Sequence, residues 1–148
     1  MPYIISILTE PPDSASLHDI STLAGISSTQ QGDVVRRHIQ NMLREGHVIL
    51  TATKNDGAVV GLAVMLYFSS LKEGRVAKLE VLGVHPEHRN QGVGSTLLAR
   101  CINIARQGGV SALRITSTRE HTLPNKILLS HGFEVHPSSS FELSFTRR

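Results

Sequence analysis

The feature that most constrains the fold is a strand-to-helix junction past the middle of the chain. Residues 84–95 read VHPEHRNQGVGS; an apolar, strand-like run precedes them from residue 76, and a helical pattern continues to residue 106. Two glycines, Gly92 and Gly94, lie where the strand gives way to the helix. A first helical turn has unpaired N–H groups and the positive end of the helix dipole, and glycine lets the backbone approach an anion closely. The junction therefore predicts a phosphate-binding loop.

Two familiar phosphate motifs do not fit this junction. Position 97 is Leu97, so the third glycine of a Rossmann fingerprint is missing, and no Gly-Lys-Ser/Thr follows as in a Walker loop. The junction resembles the Arg/Gln-x-x-Gly-x-Gly/Ala signature of the GNAT superfamily, the acyl-CoA-dependent N-acetyltransferases. Arg89, Gly92 and Gly94 occupy its three defining positions, after an apolar strand and a Val-His-Pro-Glu approach typical of that family.

Hydrophobic periodicity and turn residues predict an α/β chain forming a single domain over residues 1–148. The predicted strands cover residues 3–8, 47–54, 58–68, 76–84, 111–117, 133–136 and 141–145, and the predicted helices cover residues 16–24, 34–45, 94–106 and 125–131. Asp33 is the expected N-cap of the second helix. This order looks like the GNAT fold, a central twisted mixed β-sheet flanked by helices. The resemblance implies that the fourth and fifth strands splay apart to admit the pantetheine of the cofactor.

Composition narrows the class of protein. Hydrophobic residues make up 40% of the chain and charged residues 18%, which suits a globular domain. The formal net charge of +3 fits an anionic cofactor such as coenzyme A. No nucleic-acid partner is expected, because the basic residues are scattered and aromatic residues are only 4%.

The same reading predicts a cytoplasmic location. No apolar run approaches the length of a membrane span, and the first ten residues do not resemble a signal peptide. The single cysteine, Cys101, cannot form an internal disulfide, so a reducing compartment is expected. Cys101 lies on the apolar stripe of its predicted helix, which favours a core position over a nucleophilic role.

The resemblance implies that the chain transfers the acetyl group of acetyl-CoA directly to a primary amine of a small molecule, peptide or protein. The identity of this acceptor does not follow from the residues. An alternative is a GNAT-fold module that binds coenzyme A as a sensor and has little or no transfer activity. A homodimer is common among such proteins, although no seam in this sequence indicates one.

Family resemblance also assigns the residues that would contact acetyl-CoA. The N–H groups of the loop would hold the pyrophosphate, and the end of the preceding strand would lie along the acyl arm, with the Val84 N–H polarising the thioester oxygen. Asn125, at the start of the last helix, either faces the cofactor or caps its helix. The expected cofactor-binding residues are Leu82, Gly83, Val84, Arg89, Asn90, Gln91, Gly92, Val93, Gly94, Ser95 and Asn125.

Glu80 is the candidate catalytic base, because it is an ionisable residue inside an otherwise apolar strand. Strand periodicity predicts that it shares a face with Lys78, Leu82 and Val84. Several GNAT relatives use a glutamate from this strand to accept the amine proton, often through water. The alternative is an ion pair between Glu80 and Lys78 on a solvent-facing strand.

One position departs from the family pattern. Families of this type carry Tyr-x-x-x-Gly-Phe near the C-terminus; here Gly132-Phe133 fits, but Leu128 stands where the tyrosine would be. In many relatives that tyrosine is the proposed general acid, so the acid is in doubt. His121 and Tyr67 are alternative donors, against surface and packing roles respectively. No metal site is predicted, because no carboxylate or cysteine cluster accompanies the His85 and His88 pair, and solvated loop histidines are expected there.

Overall fold

A computed structural model describes residues 2–26, 32–116, 124–137 and 140–145. The chain forms strand β1 (Ile4–Ile7), helices α1 (Ser14–Leu23) and α2 (Gly32–Arg44), and strands β2 (Val48–Thr53), β3 (Val59–Ser70) and β4 (Gly74–Val84). A short 3₁₀ turn (Pro86–His88) then leads to α3 (Val93–Gln107), β5 (Leu113–Ile115) and α4 (Asn125–Ser130). Among the described residues, no helix is both long and apolar enough to cross a membrane.

The five strands form one mixed sheet in the order β1-β2-β3-β4-β5. The first four strands pair antiparallel, and β5 pairs parallel to β4. Parallel neighbours need a crossover connection, which α3 provides. This architecture confirms the predicted mixed α/β class and the strand-to-helix junction at its centre.

Apolar side chains on both faces of the sheet are covered by helices. Helix α3 packs on one face, where Leu97, Leu98 and Cys101 join Leu79 and other strand residues in one buried cluster. Helices α1 and α2 cover the other face, where Leu17 and Ile39 belong to a second cluster. The sheet is thus the middle layer of three, and both ends of α3 are held by the sheet beneath it.

The boundaries of the first two helices differ from the predicted ones. Helix α1 begins at Ser14, because Asp13 is its N-cap and accepts the Ser16 N–H at 2.8 Å. Helix α2 begins at Gly32, so Asp33 lies within its first turn and the prediction that Asp33 is the N-cap was wrong. Acidic residues are favoured at both kinds of position, so composition alone does not separate them.

The two predicted C-terminal strands do not form in the described residues 133–137 and 140–145. Phe141, Leu143 and Phe145 alternate as a half-buried strand would, yet they are 94%, 79% and 93% exposed. Alternating apolar residues indicate which face of a strand could be buried. A strand also requires a neighbouring strand that pairs with its backbone N–H and C=O groups. The neighbouring edge strand, β5, has only three residues; the predicted strand over 111–117 was too long, and Ser117 lies outside the described residues.

Candidate functional site

The loop between β4 and α3 has an unusual backbone. His85 caps the 3₁₀ turn by accepting the Glu87 N–H on Nδ1 at 3.1 Å. Beyond the turn, Asn90 and Gly92 both adopt left-handed conformations, with φ of +62° and +82°. Asparagine tolerates this region better than most residues, and glycine adopts it freely. The two reversals turn the chain sharply from the strand into the helix.

Helix α3 begins without a side-chain cap. Gly92 is its N-cap and has no side chain, and the carbonyl of Gly92 accepts the Thr96 N–H at 3.0 Å. A Cβ placed on Gly92 would meet no atom within 4 Å, so the space beside the first turn is open. No acidic residue lies in that turn. Uncapped N–H groups, a positive helix end and open space together suit an anion.

Arg89 joins this loop to the end of β4. Its Nε donates to the carbonyl of Val84 at 3.0 Å, while the side chain remains exposed. The guanidinium therefore keeps further N–H donors available beside the uncapped helix. Arginine matches phosphate oxygens well in charge and geometry.

The backbone of Val84 faces away from β3. The N–H of His85 donates to the carbonyl of Val60 in β3 at 2.8 Å. Because backbone groups of consecutive residues in an antiparallel strand point to opposite sides, the N–H and C=O of Val84 point toward the β5 side. The bond from Arg89 to the Val84 carbonyl agrees with that direction.

Strands β4 and β5 pair over only three residues each in the described part of the chain. Within the described residues they pair only from Ala77 opposite Leu113 to Leu79 opposite Ile115, whereas β3 and β4 stay paired up to Val84. The second half of β4, residues 80–84, therefore has no strand paired with it on that side among the described residues. This unpaired side of β4 is called the opening. The splay that the family resemblance implied stays a prediction, because residues 117–123 lie outside the described residues; the N–H of Val84 faces the opening.

Glu80 is the extra residue of a β-bulge at the start of this opening. The register passes from Met65 opposite Leu79 to Val64 opposite Val81, which leaves Glu80 without a partner position on β3. Its side chain is exposed. A bulge re-aims side chains and bends the strand, and such features are common next to active sites. The opening and the one carboxylate of β4 thus occur at the same point.

The bulge corrects the predicted faces of β4. Leu82 and Val84 pack in the same buried cluster as Leu79, under α3, while Lys78 is exposed. The expectation that Glu80 shares a face with Lys78, Leu82 and Val84 was wrong, because one inserted residue reverses the alternation. In the described part of the chain Glu80 and Lys78 form no ion pair.

A buried tyrosine contacts the loop from the opposite edge of the sheet. The hydroxyl of Tyr3 donates to Oε1 of Gln91 at 2.5 Å and lies 2.9 Å from Nδ1 of His88. Tyr3 precedes β1 and is 8% exposed. Sequence reasoning missed this contact, because its partners lie 85 and 88 positions away and no local pattern indicates them.

The 3₁₀ turn also gathers three groups that can bind metals. Ligand atoms of His85, Glu87 and His88 lie within 4.8 Å of one another, so one carboxylate, and no cluster of carboxylates, accompanies the two histidines in the described part of the chain. However, Nδ1 of His85 accepts a backbone N–H, so its neutral ring carries its proton on Nε2. Only Glu87 and His88 then offer free lone pairs, fewer than the three protein ligands of a zinc site.

The remaining candidates lie in the core or away from the loop. Leu128 is buried in the cluster beneath α3, and Asn125 is exposed as the first residue of α4, whose N-cap is Pro124. Asn125 therefore does not cap its helix. His121 lies outside the described residues.

Tyr67 and Cys101 pack against the body of the fold. The Tyr67 ring lies under the Arg75 guanidinium at 4.4 Å, and its hydroxyl lies near Gly108 at the C-terminal end of α3. A helix of 15 residues places that end about 22 Å from the loop. Burial raises the pKa of the Tyr67 hydroxyl and raises the pKa of the Cys101 thiol to about 12. These positions favour the packing role for Tyr67 and the core role for Cys101.

Comparison with known proteins identifies the class. The model of the acetyltransferase (GNAT) family matches residues 15–133, which include the opening, the bulge and the loop. The chain belongs to the acetyltransferase (GNAT) family.

Individual relatives agree with this assignment. An amino-acid acetyltransferase of Shewanella oneidensis is 31% identical over 135 residues, covering 87% of this chain but only 28% of that protein. An acetyltransferase of Trypanosoma brucei shares the fold with a TM-score of 0.75 at 21% identity, covering 97% of this chain and 99% of that one. An aminoglycoside N-acetyltransferase in complex with CoA also has a TM-score of 0.75, at 19% identity, covering 97% and 95% of the two chains. The chain therefore spans less than a third of the curated amino-acid acetyltransferase.

Proposed function

We propose that this chain is an N-acetyltransferase domain that transfers the acetyl group of acetyl-CoA to a primary amine of a small molecule, peptide or protein. The observation that carries the proposal is the coincidence of three features at one edge of the sheet. An uncapped helix N-terminus, an opening between β4 and β5, and the bulged Glu80 lie along one continuous stretch of chain. Each feature serves a different part of acyl transfer, and the chain belongs to the acetyltransferase (GNAT) family.

The residues around the loop fit a diphosphate. The N–H groups of residues 89–95 and the guanidinium of Arg89 would bind its oxygens, because the space beside Gly92 is open and the helix end is positive. The backbone of Leu82, Gly83 and Val84 borders the opening between the strands. When bound, acetyl-CoA supplies an activated acyl group. The Val84 N–H faces the opening and is the proposed donor that polarises a carbonyl there.

Glu80 is the proposed proton acceptor. An alkylammonium has a pKa near ~10.4 in water, so the amine must lose a proton before it can attack. A carboxylate exposed at the mouth of the opening can take that proton directly or through one water molecule. Asn125, exposed at the start of α4, is proposed to contact the cofactor.

Leu128 supports a second candidate function. At this position the side chain has no proton to donate, and it is buried in the core, so the chain lacks an acid where relatives carry tyrosine. A module that binds coenzyme A and transfers little of the acetyl group would need no general acid at this position. If the chain transfers an acetyl group, the proposed acceptor is a primary amine. For both candidate functions, the scattered basic residues argue against a nucleic-acid partner.

Two measurements on the same protein separate the candidates. Calorimetry with CoA tests the binding site, and thiol release from acetyl-CoA across a panel of amino acids, aminoglycosides, polyamines and peptides tests transfer. We expect binding and amine-dependent thiol release. Binding without release for any amine would favour the binding module, and no binding at all would refute both candidates.

A further inference from the structure

The Tyr3 hydroxyl links the first strand of the sheet to the loop that precedes α3. Its oxygen contacts Gln91 and His88, and both partners lie within the segment between β4 and α3. The Tyr3 ring is buried in the main core cluster, so the hydroxyl is held in place by packing. A fixed donor reaches a loop whose own side chains are largely exposed.

Proton accounting assigns a direction to each bond. The Tyr3 hydroxyl has one hydrogen, and the Gln91 Oε1 can only accept, so that hydrogen goes to Gln91. The Tyr3 oxygen must then accept from His88, whose Nδ1 therefore carries the ring proton. Both bonds are satisfied at once, and His88 also packs edge-on against the Tyr3 ring, with the centroids 5.7 Å apart.

The loop has a reason to need such support. Asn90 is the one described non-glycine residue with a positive φ, and Gly92 adopts a second left-handed conformation two positions later. Backbone in this region is easily lost to more common conformations when nothing holds it. Arg89 anchors the loop at its start through the Val84 carbonyl, and Tyr3 anchors it through Gln91, between the two left-handed residues.

We propose that Tyr3 is a positioning residue: it holds residues 89–92 in the anion-binding conformation before any cofactor arrives. This inference rests on the proposed function, since the anion in question is the diphosphate of coenzyme A. Tyr3 touches neither the cofactor nor the acceptor in this account. It acts through Gln91 and His88.

A preorganised loop binds without first being ordered. If the Tyr3 hydrogen bonds are lost, the ligand-free loop also populates other conformations. The apparent dissociation constant for CoA then equals the intrinsic one divided by the fraction of loops in the binding conformation. One or two neutral hydrogen bonds of ordinary net strength correspond to a rise of about tenfold. The rate at saturating cofactor should stay within about twofold, because the bound loop is ordered by the ligand itself.

The test uses the two tyrosines of the chain as a matched pair. Tyr3→Phe removes only the tethering hydroxyl and keeps the buried ring. Tyr67→Phe removes a hydroxyl that lies at the other end of α3, near Gly108. CoA binding is measured by calorimetry at fixed salt, with thermal unfolding of each variant as a check. Tyr3→Phe should weaken CoA binding about tenfold, and Tyr67→Phe should leave it unchanged.

A second variant removes the loop residue that accepts the hydrogen bond of Tyr3. Gln91→Ala changes an exposed residue and so leaves the core intact. If Tyr3 acts through Gln91, the two substitutions remove the same interaction. The dissociation constant of the double variant for CoA should then be at most about twofold higher than that of the weaker-binding single variant. Fully additive losses would overturn the proposed route, as would wild-type affinity in a folded Tyr3→Phe protein.

The outcomes also separate this inference from the proposed function. Wild-type protein that binds CoA, together with unaffected binding in Tyr3→Phe, would reject the positioning role alone. Wild-type protein that does not bind CoA would reject the proposed function, and the positioning role would fall with it.

Discussion

Helix α3 approaches the sheet closely at Gly61 in β3, and adding one methyl group there tests how the site is held. A Cβ on Gly61 would lie 2.9 Å from Cγ1 of Val93, 3.0 Å from Cδ1 of Leu97 and 3.1 Å from Cβ of Ala52. Carbon atoms in good contact are about 3.5–4.0 Å apart, so α3 or its side chains must retreat by roughly half an ångström. Val93 is the first residue of α3 and directly follows Gly92.

The expected magnitude follows from two opposing terms. Overpacking a filled core typically destabilises by about 1–3 kcal/mol. Replacing glycine restricts the unfolded chain and returns about 0.4–1 kcal/mol. Gly61→Ala should therefore lower the free energy of unfolding by about 1–2 kcal/mol, which corresponds to a fall in Tm of about 2–8 °C for a domain of this size.

Thermal unfolding followed by circular dichroism measures this effect, with Gly32→Ala as the control. Gly32 is the first residue of α2, and a Cβ there would meet its nearest atom, Cδ2 of Leu17, at an ordinary 3.7 Å. The control should unfold at or slightly above the wild-type Tm, because alanine favours helix. Gly61→Ala should also weaken CoA binding, since a displaced α3 carries the loop with it. A Tm equal to or above that of the wild type in Gly61→Ala would refute the close-packing argument.

Four further predictions concern single residues of the site and core. Gly92→Glu should abolish CoA binding in calorimetry while the circular dichroism spectrum stays native. Gly92→Ala has the same left-handed strain but no charge, so it should retain part of the CoA affinity. Equal CoA affinities of the two variants would refute the phosphate-loop assignment. Glu80→Gln should lower kcat/KM by ~10²–10⁴, with partial recovery for amines of lower pKa, and wild-type turnover would make Glu80 structural. Leu128→Tyr should raise kcat above that of Leu128→Phe if a missing acid limits turnover, with Tm measured alongside because the site is buried. Burial raises the pKa of the Cys101 thiol to about 12, so it should resist thiol reagents at neutral pH until the chain unfolds. The pKa of this thiol is lower in the unfolded chain than in the folded chain. The free energy of unfolding should therefore fall as the pH rises above about 9.

Local features of the site could be predicted from the sequence because each has a local cause. The glycines and the apolar stripe of α3 report backbone conformation and helix period directly, so the junction at residues 84–95 was predictable. The splay between β4 and β5 came from family resemblance and stays a prediction, because residues 117–123 lie outside the described residues. The junction accounts for the anion-binding half of the proposed site.

Features that depend on distant partners could not be predicted. The bulge at Glu80 arises from the match between β3 and β4, and within β4 alone the residues still alternate plausibly. The contact of Tyr3 with Gln91 joins positions 88 residues apart, and nothing near either residue indicates it. Phe141 shows the converse case, in which residues with a good strand pattern form no strand and this side chain stays exposed.

The conformation of the loop is determined mainly from outside the loop. Gly61 in β3 sets how close the first turn of α3 lies to the sheet, the end of β4 holds Arg89, and Tyr3, the residue before β1, holds Gln91. Two strands and a residue beside a third thus act on the segment between β4 and α3, and none of the three contacts is an anion contact itself. A variant distant in sequence that loosens the sheet should therefore weaken anion binding before it unfolds the protein, because local ordering is lost at smaller free-energy changes than the global fold.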